Sequence, residues 1–190
     1  MRCISCENLS WQIICKSCQD KLLQSSFYKR ELQKDFFVYS FYKYEEIKEF
    51  LNTKYEFYGD RVYNILAKHS FEKFASNFTF EEKVVAISVD DDTSHQFSQS
   101  AILVNNLKSK IIIPKYSTLK ATNKVKYAGK SLEFRKTNKR KFIYNGKSDL
   151  KVILVDDIVT TGLTLLEAKE ILEKNGCEVL FALTLSDARL

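Results

Sequence analysis

Residues 152–164, VILVDDIVTTGLT, combine acids, hydroxyls and one glycine in an order that suits the binding of a phosphorylated sugar. The two aspartates offer acceptors for the vicinal hydroxyls of a ribose or, through water, for a divalent cation. The threonines can donate hydroxyls to phosphate oxygens, and the glycine lets the backbone approach a phosphate closely. The candidate ligand residues, called here the 156–164 loop, are Asp156, Asp157, Ile158, Val159, Thr160, Thr161, Gly162 and Thr164.

A strand and a helix are predicted to position this loop. The four apolar residues 152–155 suit a strand buried on both faces of a parallel sheet, and residues 163–172 carry apolar side chains at helical spacing. The loop then lies where open α/β sheets place ligands and where a helix amino terminus favours an anion. The alternative is that Thr160 only caps the helix and the aspartates are solubilising residues. The sequence has no Gly-rich loop with a Lys before Ser or Thr, which argues against ordinary nucleoside-triphosphate hydrolysis.

Residues 152–164 resemble the phosphoribosyl pyrophosphate (PRPP) motif of type I phosphoribosyltransferases. The whole chain resembles the competence protein ComF branch of that superfamily, which includes ComFC-like and GntX-like proteins. The resemblance implies that Asp156 and Asp157 hold the ribose 2′ and 3′ hydroxyls of PRPP bound with Mg²⁺, and that residues 160–164 wrap its 5′-phosphate. Lys54-Tyr55 and Gly59-Asp60 also resemble the Lys-aromatic and Gly segment of this family. Some members of the superfamily bind the nucleotide as regulators and transfer nothing.

Four cysteines near the amino terminus form two Cys-x-x-Cys pairs, the spacing of a four-thiolate structural Zn²⁺ site. The chain begins without an apolar signal segment, and its hydrophobic runs are interrupted by charges. We therefore expect a cytoplasmic protein with no transmembrane segment, with peripheral association at the inner membrane as an open alternative. Paired cysteines in a reducing compartment bind metal more often than they form disulfides, although redox or incidental thiols are the alternative. The predicted metal ligands are Cys3, Cys6, Cys15 and Cys18.

The predicted fold class is α/β, a mostly parallel sheet with helices on both faces, Rossmann-like and similar to type I phosphoribosyltransferases. With 190 residues, 45% of them hydrophobic, the chain can form one such core and a small appended module. We predict a zinc-binding module over residues 1–27 and a phosphoribosyltransferase-like domain over residues 28–190. Strands are predicted at 36–42, 84–89, 110–113 (ended by Pro114), 152–155 and 179–185, and helices at 22–27, 47–51, 62–66, 98–107 and 163–172.

Positive charge is concentrated in one segment. Residues 108–151 carry fourteen Lys or Arg and two acids, so their net charge is +12, whereas the rest of the chain carries −6. Residues 115–141 are predicted to form a basic mobile loop, for which three roles stay open: a loop that closes over pyrophosphate, as the resemblance implies, a nucleic-acid surface, or a solvated excursion. The candidate DNA-binding residues are Lys115, Lys120, Lys124, Lys126, Lys130, Arg135, Lys136, Lys139, Arg140 and Lys141.

The segment after the predicted strand 84–89 departs from the family pattern. Related proteins usually have an Arg-Gly-Phe-Asn-Gln run there, whereas this chain has three aspartates followed by His95-Gln96-Phe97-Ser98-Gln99. Asp90, Asp91 and His95 are candidates for a pyrophosphate or Mg²⁺ site, and an acidic solvated turn is the alternative. The loss of the arginine weakens the expectation of pyrophosphate turnover.

Two functions of different class follow. The first, which the sequence favours, is a ComF-like competence protein for natural transformation that assists the uptake or handling of incoming single-stranded DNA, with PRPP or a related ligand in the loop. Its expected partners include other DNA-uptake machinery at the inner membrane. The alternative is a catalytically active phosphoribosyltransferase acting on a nucleobase or other nitrogen acceptor, for which no residue stands out as a general base. Aromatic residues make up 13% of the chain and lie mostly before residue 98, where core packing and stacking on nucleic-acid bases are both open.

Overall fold

The computed structural model describes residues 1–89, 97–123 and 132–190. Within these ranges the chain forms a six-stranded sheet and a separate two-stranded hairpin. The strands of the large sheet are β1 (Tyr28–Gln33), β2 (Phe36–Lys43), β3 (Val84–Ser88), β4 (Ile112–Lys115), β7 (Lys151–Val159) and β8 (Glu178–Asp187), and those of the hairpin are β5 (Leu119–Ala121) and β6 (Phe142–Tyr144).

Helices connect most of these strands. They are α1 (Lys16–Leu22), α2 (Tyr44–Asn52), α3 (Gly59–Ala67), α4 (Lys73–Asn77), α5 (Gln99–Asn105), α6 (Leu132–Thr137) and α7 (Leu163–Lys174). A 3₁₀ turn over Thr53–Tyr55 follows α2, and a π-helical turn over Lys68–Glu72 joins α3 to α4. Across the described residues, none of these helices is both long and apolar enough to cross a membrane.

The large sheet has the order β1-β2-β8-β7-β3-β4 and is parallel except for β1, which pairs antiparallel with β2. Strand β7 lies inside the sheet, and residues 152–155 are fully buried. Val152 and Leu154 face one hydrophobic core while Ile153 and Val155 face the other, so the uninterrupted apolar run fills both faces.

Helices cover both faces of the sheet. Apolar residues of α2, α3 and α5 belong to the first core, and those of α7 pack with the β5–β6 hairpin in the second. The prediction of a mostly parallel α/β sheet with helices on both faces is therefore confirmed. Buried residues of the first 27 positions, among them Ile14 and Leu23, lie in the first core, so the amino-terminal residues are packed against the sheet domain.

Two local predictions are wrong. Residues 22–27 were expected to form a helix, but α1 ends at Leu22 and residues 23–27 have no regular secondary structure. The chain must leave α1 with Leu23 buried in the core and then run into β1, and this tertiary constraint overrides the local apolar spacing. Pro114 was expected to end a strand, yet it lies within β4. Proline is tolerated there because β4 is an edge strand, so its missing N–H can face away from the sheet.

Candidate functional site

The 156–164 loop lies at the carboxyl end of β7 and leads directly into α7. Gly162 has φ +81°, a left-handed conformation that glycine adopts without strain. A Cβ atom at this position would also lie 2.6 Å from a methyl carbon of Leu32 in β1. The backbone conformation therefore favours glycine here, and a Cβ atom would in addition displace the Leu32 side chain.

The amino terminus of α7 faces the turn of this loop. The side chains of Thr160, Thr161 and Thr164 are half-buried there. The Thr161 hydroxyl oxygen accepts a long, 3.4 Å bond from the Leu163 N–H. A hydrogen bond of this length is weak, so an anion at the helix terminus could displace it and accept the Leu163 N–H at little cost.

The two acids of the loop are adjacent and partly desolvated. The Asp157 N–H donates to Asp156 Oδ1 over 2.8 Å, and the Ile158 N–H donates to Asp157 Oδ1 over 2.8 Å. Burial, followed by the charge of Asp157, raises the pKa of Asp156 well above its ordinary value, while the Asp157 N–H and the Arg140 charge partly offset this rise. Two close carboxylates held in this way form an electrostatically costly arrangement that a hydroxyl-rich ligand or a cation would relieve.

A lysine distant in sequence balances one of these acids. Lys54, in the 3₁₀ turn after α2, places its Nζ 3.4 Å from Asp157 Oδ2, and both side chains are largely buried. Burial is the largest single influence and acts to lower the pKa of Lys54, but the charges of Asp157, Tyr55 and Asp156 and the hydrogen bond to Asp157 together outweigh it and raise that pKa. Gly59 allows α3 to begin directly against this turn, because a Cβ atom there would lie 2.2 Å from the Thr53 carbonyl oxygen. In the sequence, Lys54 was noted only as part of a segment that resembles the family, and its contact with the 156–164 loop was not predicted.

An arginine in β1 supports the loop from the other side. Arg30 Nη1 donates to the Thr160 carbonyl over 3.0 Å, and Arg30 Nε lies 2.9 Å from Asp187 Oδ2. Asp187 pairs with Val159 across β7 and β8, so the arginine joins three strands behind the loop. Sequence reasoning missed Arg30, since no motif links residues that are 130 positions apart.

The proposed pyrophosphate or Mg²⁺ residues, Asp90, Asp91 and His95, lie outside the described residues. The flanking elements are described: β3 pairs directly with β7, and Ser98 caps α5 by accepting the Ala101 N–H over 3.1 Å. The carboxyl end of β3 therefore lies at the same edge of the sheet as the 156–164 loop. The role of Asp90, Asp91 and His95 in ligand binding stays a prediction.

Half of the candidate DNA-binding residues have described side chains. Lys124, Lys126 and Lys130 lie outside the described residues, and Arg135 and Lys136 are placed on α6 by the backbone alone. Described side chains belong to Lys115, Lys120, Lys139 and Lys141, which are exposed, and to Arg140, which is half-buried.

One acid of α7 binds two residues of the basic segment, the name used here for residues 108–151. Glu167 accepts the backbone N–H groups of Arg140 over 3.1 Å and of Lys141 over 2.7 Å. Because α7 begins at the 156–164 loop, residues 140 and 141 are held next to the helix that follows this loop.

The four cysteines come together at the amino terminus. The sulfur atoms of Cys3, Cys6, Cys15 and Cys18 all lie within 4.8 Å of one another, and those of Cys6 and Cys15 are 3.7 Å apart. A tetrahedral Zn²⁺ site with four thiolates has sulfur atoms about 3.8 Å apart, so the set fits such an ion. Burial of Cys3 acts to raise its pKa, but backbone N–H donors led by Cys15 outweigh it and lower the pKa to about 6. The Ser5 side chain acts to lower the pKa of Cys18, but the neighbouring thiols and burial outweigh it and raise that pKa to about 12, so the positions of the sulfur atoms are what support a metal site. This cluster can hold a metal ion.

Residues 82–189, more than half of the chain, match the family model described as phosphoribosyl transferase domain. The matched range includes β3, β7, the 156–164 loop and β8. Among curated proteins no match to this chain is found.

Several solved structures are similar to the chain at low identity. UMP synthase of Leishmania donovani has a TM-score of 0.40 and 19% identity over 66% of this chain and 22% of that protein. A hypoxanthine phosphoribosyltransferase from Staphylococcus aureus has a TM-score of 0.39 and 14% identity over 66% of this chain and 62% of that protein. An adenine phosphoribosyltransferase has a TM-score of 0.38 and 12% identity over 89% of this chain and 88% of that protein. The chain thus spans less than two thirds of the first two proteins.

Proposed function

Because the chain belongs to the phosphoribosyl transferase domain family, we propose that its 156–164 loop binds PRPP with Mg²⁺ and that the protein acts as a ComF-like competence factor. In this role it assists the uptake or handling of incoming single-stranded DNA during natural transformation. The observation that carries the ligand proposal is the junction of β7 and α7, where two carboxylates, three threonines and a glycine with positive φ meet at a helix amino terminus. The Asp156 and Asp157 carboxylates are assigned to the ribose hydroxyls, and the backbone of residues 160–164 to the 5′-phosphate.

The DNA part of the proposal is supported by the distribution of charge and by the cysteine cluster. The +12 charge of residues 108–151 offers phosphate contacts that are independent of base sequence. An amino-terminal four-cysteine module before a phosphoribosyltransferase-like domain is the arrangement that the ComF resemblance implies. We assign Zn²⁺ to these cysteines as a structural ion, with a module boundary near residue 27.

Calorimetry with PRPP and Mg²⁺ tests the ligand site. We expect the unmodified protein to bind PRPP and the double variant Asp156→Ala with Asp157→Ala to lose binding. Glu81→Ala, which removes an exposed acid before β3, serves as the matched control. Equal binding of PRPP by the double variant and the control would remove the site assignment.

Retention of single-stranded DNA at increasing salt tests the second part. Neutralising Lys120, Lys139 and Lys141 together should weaken retention and lower the slope of log affinity against log salt by roughly 2 to 3, since each phosphate contact contributes nearly one unit. Three lysines outside the basic segment, Lys21, Lys34 and Lys48, provide a variant of equal charge change. Binding that is insensitive to salt, or affected equally by both variants, contradicts the proposal.

Catalytic phosphoribosyl transfer is the second candidate, favoured by the cation that Lys54 brings to the paired acids. Such an enzyme would release pyrophosphate from PRPP in the presence of a nitrogen acceptor, and its own residues would orient the ribose and stabilise developing charge. Release of pyrophosphate that depends on a nucleobase and is abolished by Asp157→Ala would establish this activity. Binding of PRPP without release across a panel of purines and pyrimidines would leave the binding role.

A further inference from the structure

The two acids of the 156–164 loop belong to opposite faces of the sheet. Side chains alternate between the faces along a strand, and in β7 Val155 packs in the first core while Leu154 packs in the second. Asp157 therefore lies on the face covered by α2, α3 and α5, where Lys54 reaches it. Asp156 lies on the other face, which α7 and the β5–β6 hairpin cover, so its surroundings are set by these two elements.

Arg140 lies on this second face, between the hairpin and α7. Its side chain is half-buried and its Nε atom is shielded from solvent, whereas Lys139 and Lys141 on either side are exposed. Burial and the charge of Asp157 raise the pKa of Asp156, and the charge of Arg140 acts to lower it. The guanidinium group is thus turned towards Asp156, away from the solvent that its two neighbours face.

The backbone that carries Arg140 is held from two sides. Glu167 of α7 accepts the N–H groups of Arg140 and Lys141. On the other side, the Asn123 N–H donates to the Arg140 carbonyl over 3.0 Å, and the Thr122 N–H donates to the next carbonyl over 3.1 Å. Lys141 has φ +53°, which is uncommon outside glycine. Backbone strain of this kind persists only where the surroundings fix it, and it is concentrated at ligand sites.

An arginine in this place suits a phosphate group of the ligand. The guanidinium group is permanently charged, and its fork of donors matches the oxygens of a phosphate. Lys54 is paired with Asp157, so Arg140 brings a second cation to a site whose two carboxylates would otherwise repel an anionic ligand. A contact with DNA needs an accessible side chain, a condition that the exposed Lys139 and Lys141 meet better than Arg140 does.

We propose that Arg140 is a residue of the ligand site and that its guanidinium group binds a phosphate group of the phosphoribosyl ligand. The inference rests on the proposed PRPP site and moves Arg140 from the candidate DNA-binding residues to that site. The basic segment then serves two partners, with Arg140 on the ligand and the exposed lysines on DNA. The phosphate is the 5′-phosphate or the pyrophosphate of PRPP, and two ligands distinguish them.

Calorimetry with PRPP and Mg²⁺ tests the assignment. Arg140→Gln should weaken PRPP binding by roughly tenfold or more, because charged hydrogen bonds to phosphate are lost. Lys139→Gln, which removes an exposed charge next to it, is the matched control and should leave PRPP binding unchanged. Arg140→Lys keeps the charge without the fork and should restore part of the affinity. Thermal unfolding confirms that each variant is folded.

Ribose 5-phosphate, which lacks the pyrophosphate, identifies the phosphate group that Arg140 contacts. If Arg140→Gln weakens the binding of PRPP alone, the contact is with the pyrophosphate. If it weakens the binding of both ligands equally, the contact is with the 5′-phosphate.

A double-variant comparison separates a ligand contact from support of Asp156. If Arg140 only balanced the charge of Asp156, Arg140→Gln would have no further effect on PRPP affinity in the Asp156→Asn variant, where that charge is absent. A ligand contact predicts instead that Arg140→Gln still weakens binding in that variant. Absence of a further effect would therefore overturn the proposal.

The outcomes also distinguish this inference from the proposed function. If the unmodified protein does not bind PRPP, the proposed ligand site fails and this inference fails with it. If the unmodified protein binds PRPP and Arg140→Gln binds it equally well, the site stands and the assignment of Arg140 is overturned. Unchanged PRPP affinity together with a loss of single-stranded DNA retention in Arg140→Gln would return this residue to the DNA surface.

Discussion

Replacing Asp156 by asparagine should stabilise the protein and at the same time weaken ligand binding. The side chain has nearly the same shape, and its Oδ1 can still accept the Asp157 N–H that now lies 2.8 Å away. The substitution removes only the charge, which burial and Asp157 make unfavourable. A gain of about 1 kcal/mol is typical for relief of strain at a functional site. For a chain of this length it corresponds to a rise of roughly 2–4 °C in Tm.

The gain should depend on pH with a defined sign. The pKa of Asp156 is raised in the folded state, so between its unfolded and folded values the folded protein binds more protons. The unmodified protein therefore loses stability from this group as pH rises through the folded pKa, and the Asp156→Asn variant does not. The difference in Tm between the two proteins should be small near pH 4, grow with pH and level off once the carboxyl is ionised.

Thermal unfolding across this pH range measures the effect, and calorimetry with PRPP and Mg²⁺ measures its functional cost. Loss of charged hydrogen bonds to ribose hydroxyls should weaken binding by roughly 10- to 100-fold. Asp149→Asn, at an exposed position, should change neither quantity. If the variant is less stable than the unmodified protein at neutral pH, the electrostatic reasoning is refuted. If it binds PRPP with unchanged affinity, the ligand assignment is refuted.

Three further predictions concern the parts that hold the site. Metal analysis should find about one Zn²⁺ per chain, and Cys6→Ser should lose it and lower Tm; full retention of metal would contradict the four-cysteine site. Arg30→Gln leaves the Asp187 carboxylate, which is 1% exposed, without a charge partner. It should therefore lower the free energy of unfolding, measured by denaturant titration, by about 3 kcal/mol. Arg61→Gln, at an exposed position, should lower it by under about 0.5 kcal/mol, and similar losses in the two variants would refute the buried ion pair. Gly162→Ala and Gly176→Ala both place alanine at φ +81°, but only the new Cβ atom at position 162 lies within 2.6 Å of a side-chain carbon. Gly162→Ala should therefore lower Tm more than Gly176→Ala and should also weaken PRPP binding. Equal effects of the two substitutions would show that the loop tolerates a Cβ atom.

Local patterns sufficed for much of the fold. The four apolar residues 152–155 predicted a strand buried on two faces, because in a sheet covered on both sides successive residues all meet apolar partners. The strands near residues 36–42, 84–89 and 179–185 were found for the same reason, since β-branched and aromatic runs have few other stable conformations. Prediction failed at residues 22–27, where the direction of the chain is set by the core.

The candidate site divides along the same line. Its contiguous part, Asp156 to Thr164, could be read directly, since a strand, a turn and a helix amino terminus are formed by neighbouring residues. The supporting cations could not, because Lys54 and Arg30 reach the loop from other elements, 103 and 130 positions away in the chain. No local pattern encodes which side chain a folded sheet will bring to a given loop.

By itself the sequence determined the residue types of the 156–164 loop, the four-cysteine set at the amino terminus and the strand that carries the acids. These features depend on the types of neighbouring residues and on short spacings, and over a few residues the backbone geometry alone decides where such side chains lie. The tertiary structure alone decided that Lys54 pairs with Asp157 and that Arg30 supports Thr160. Such arrangements follow from strand order and helix packing, which bring together residues that the chain itself keeps far apart.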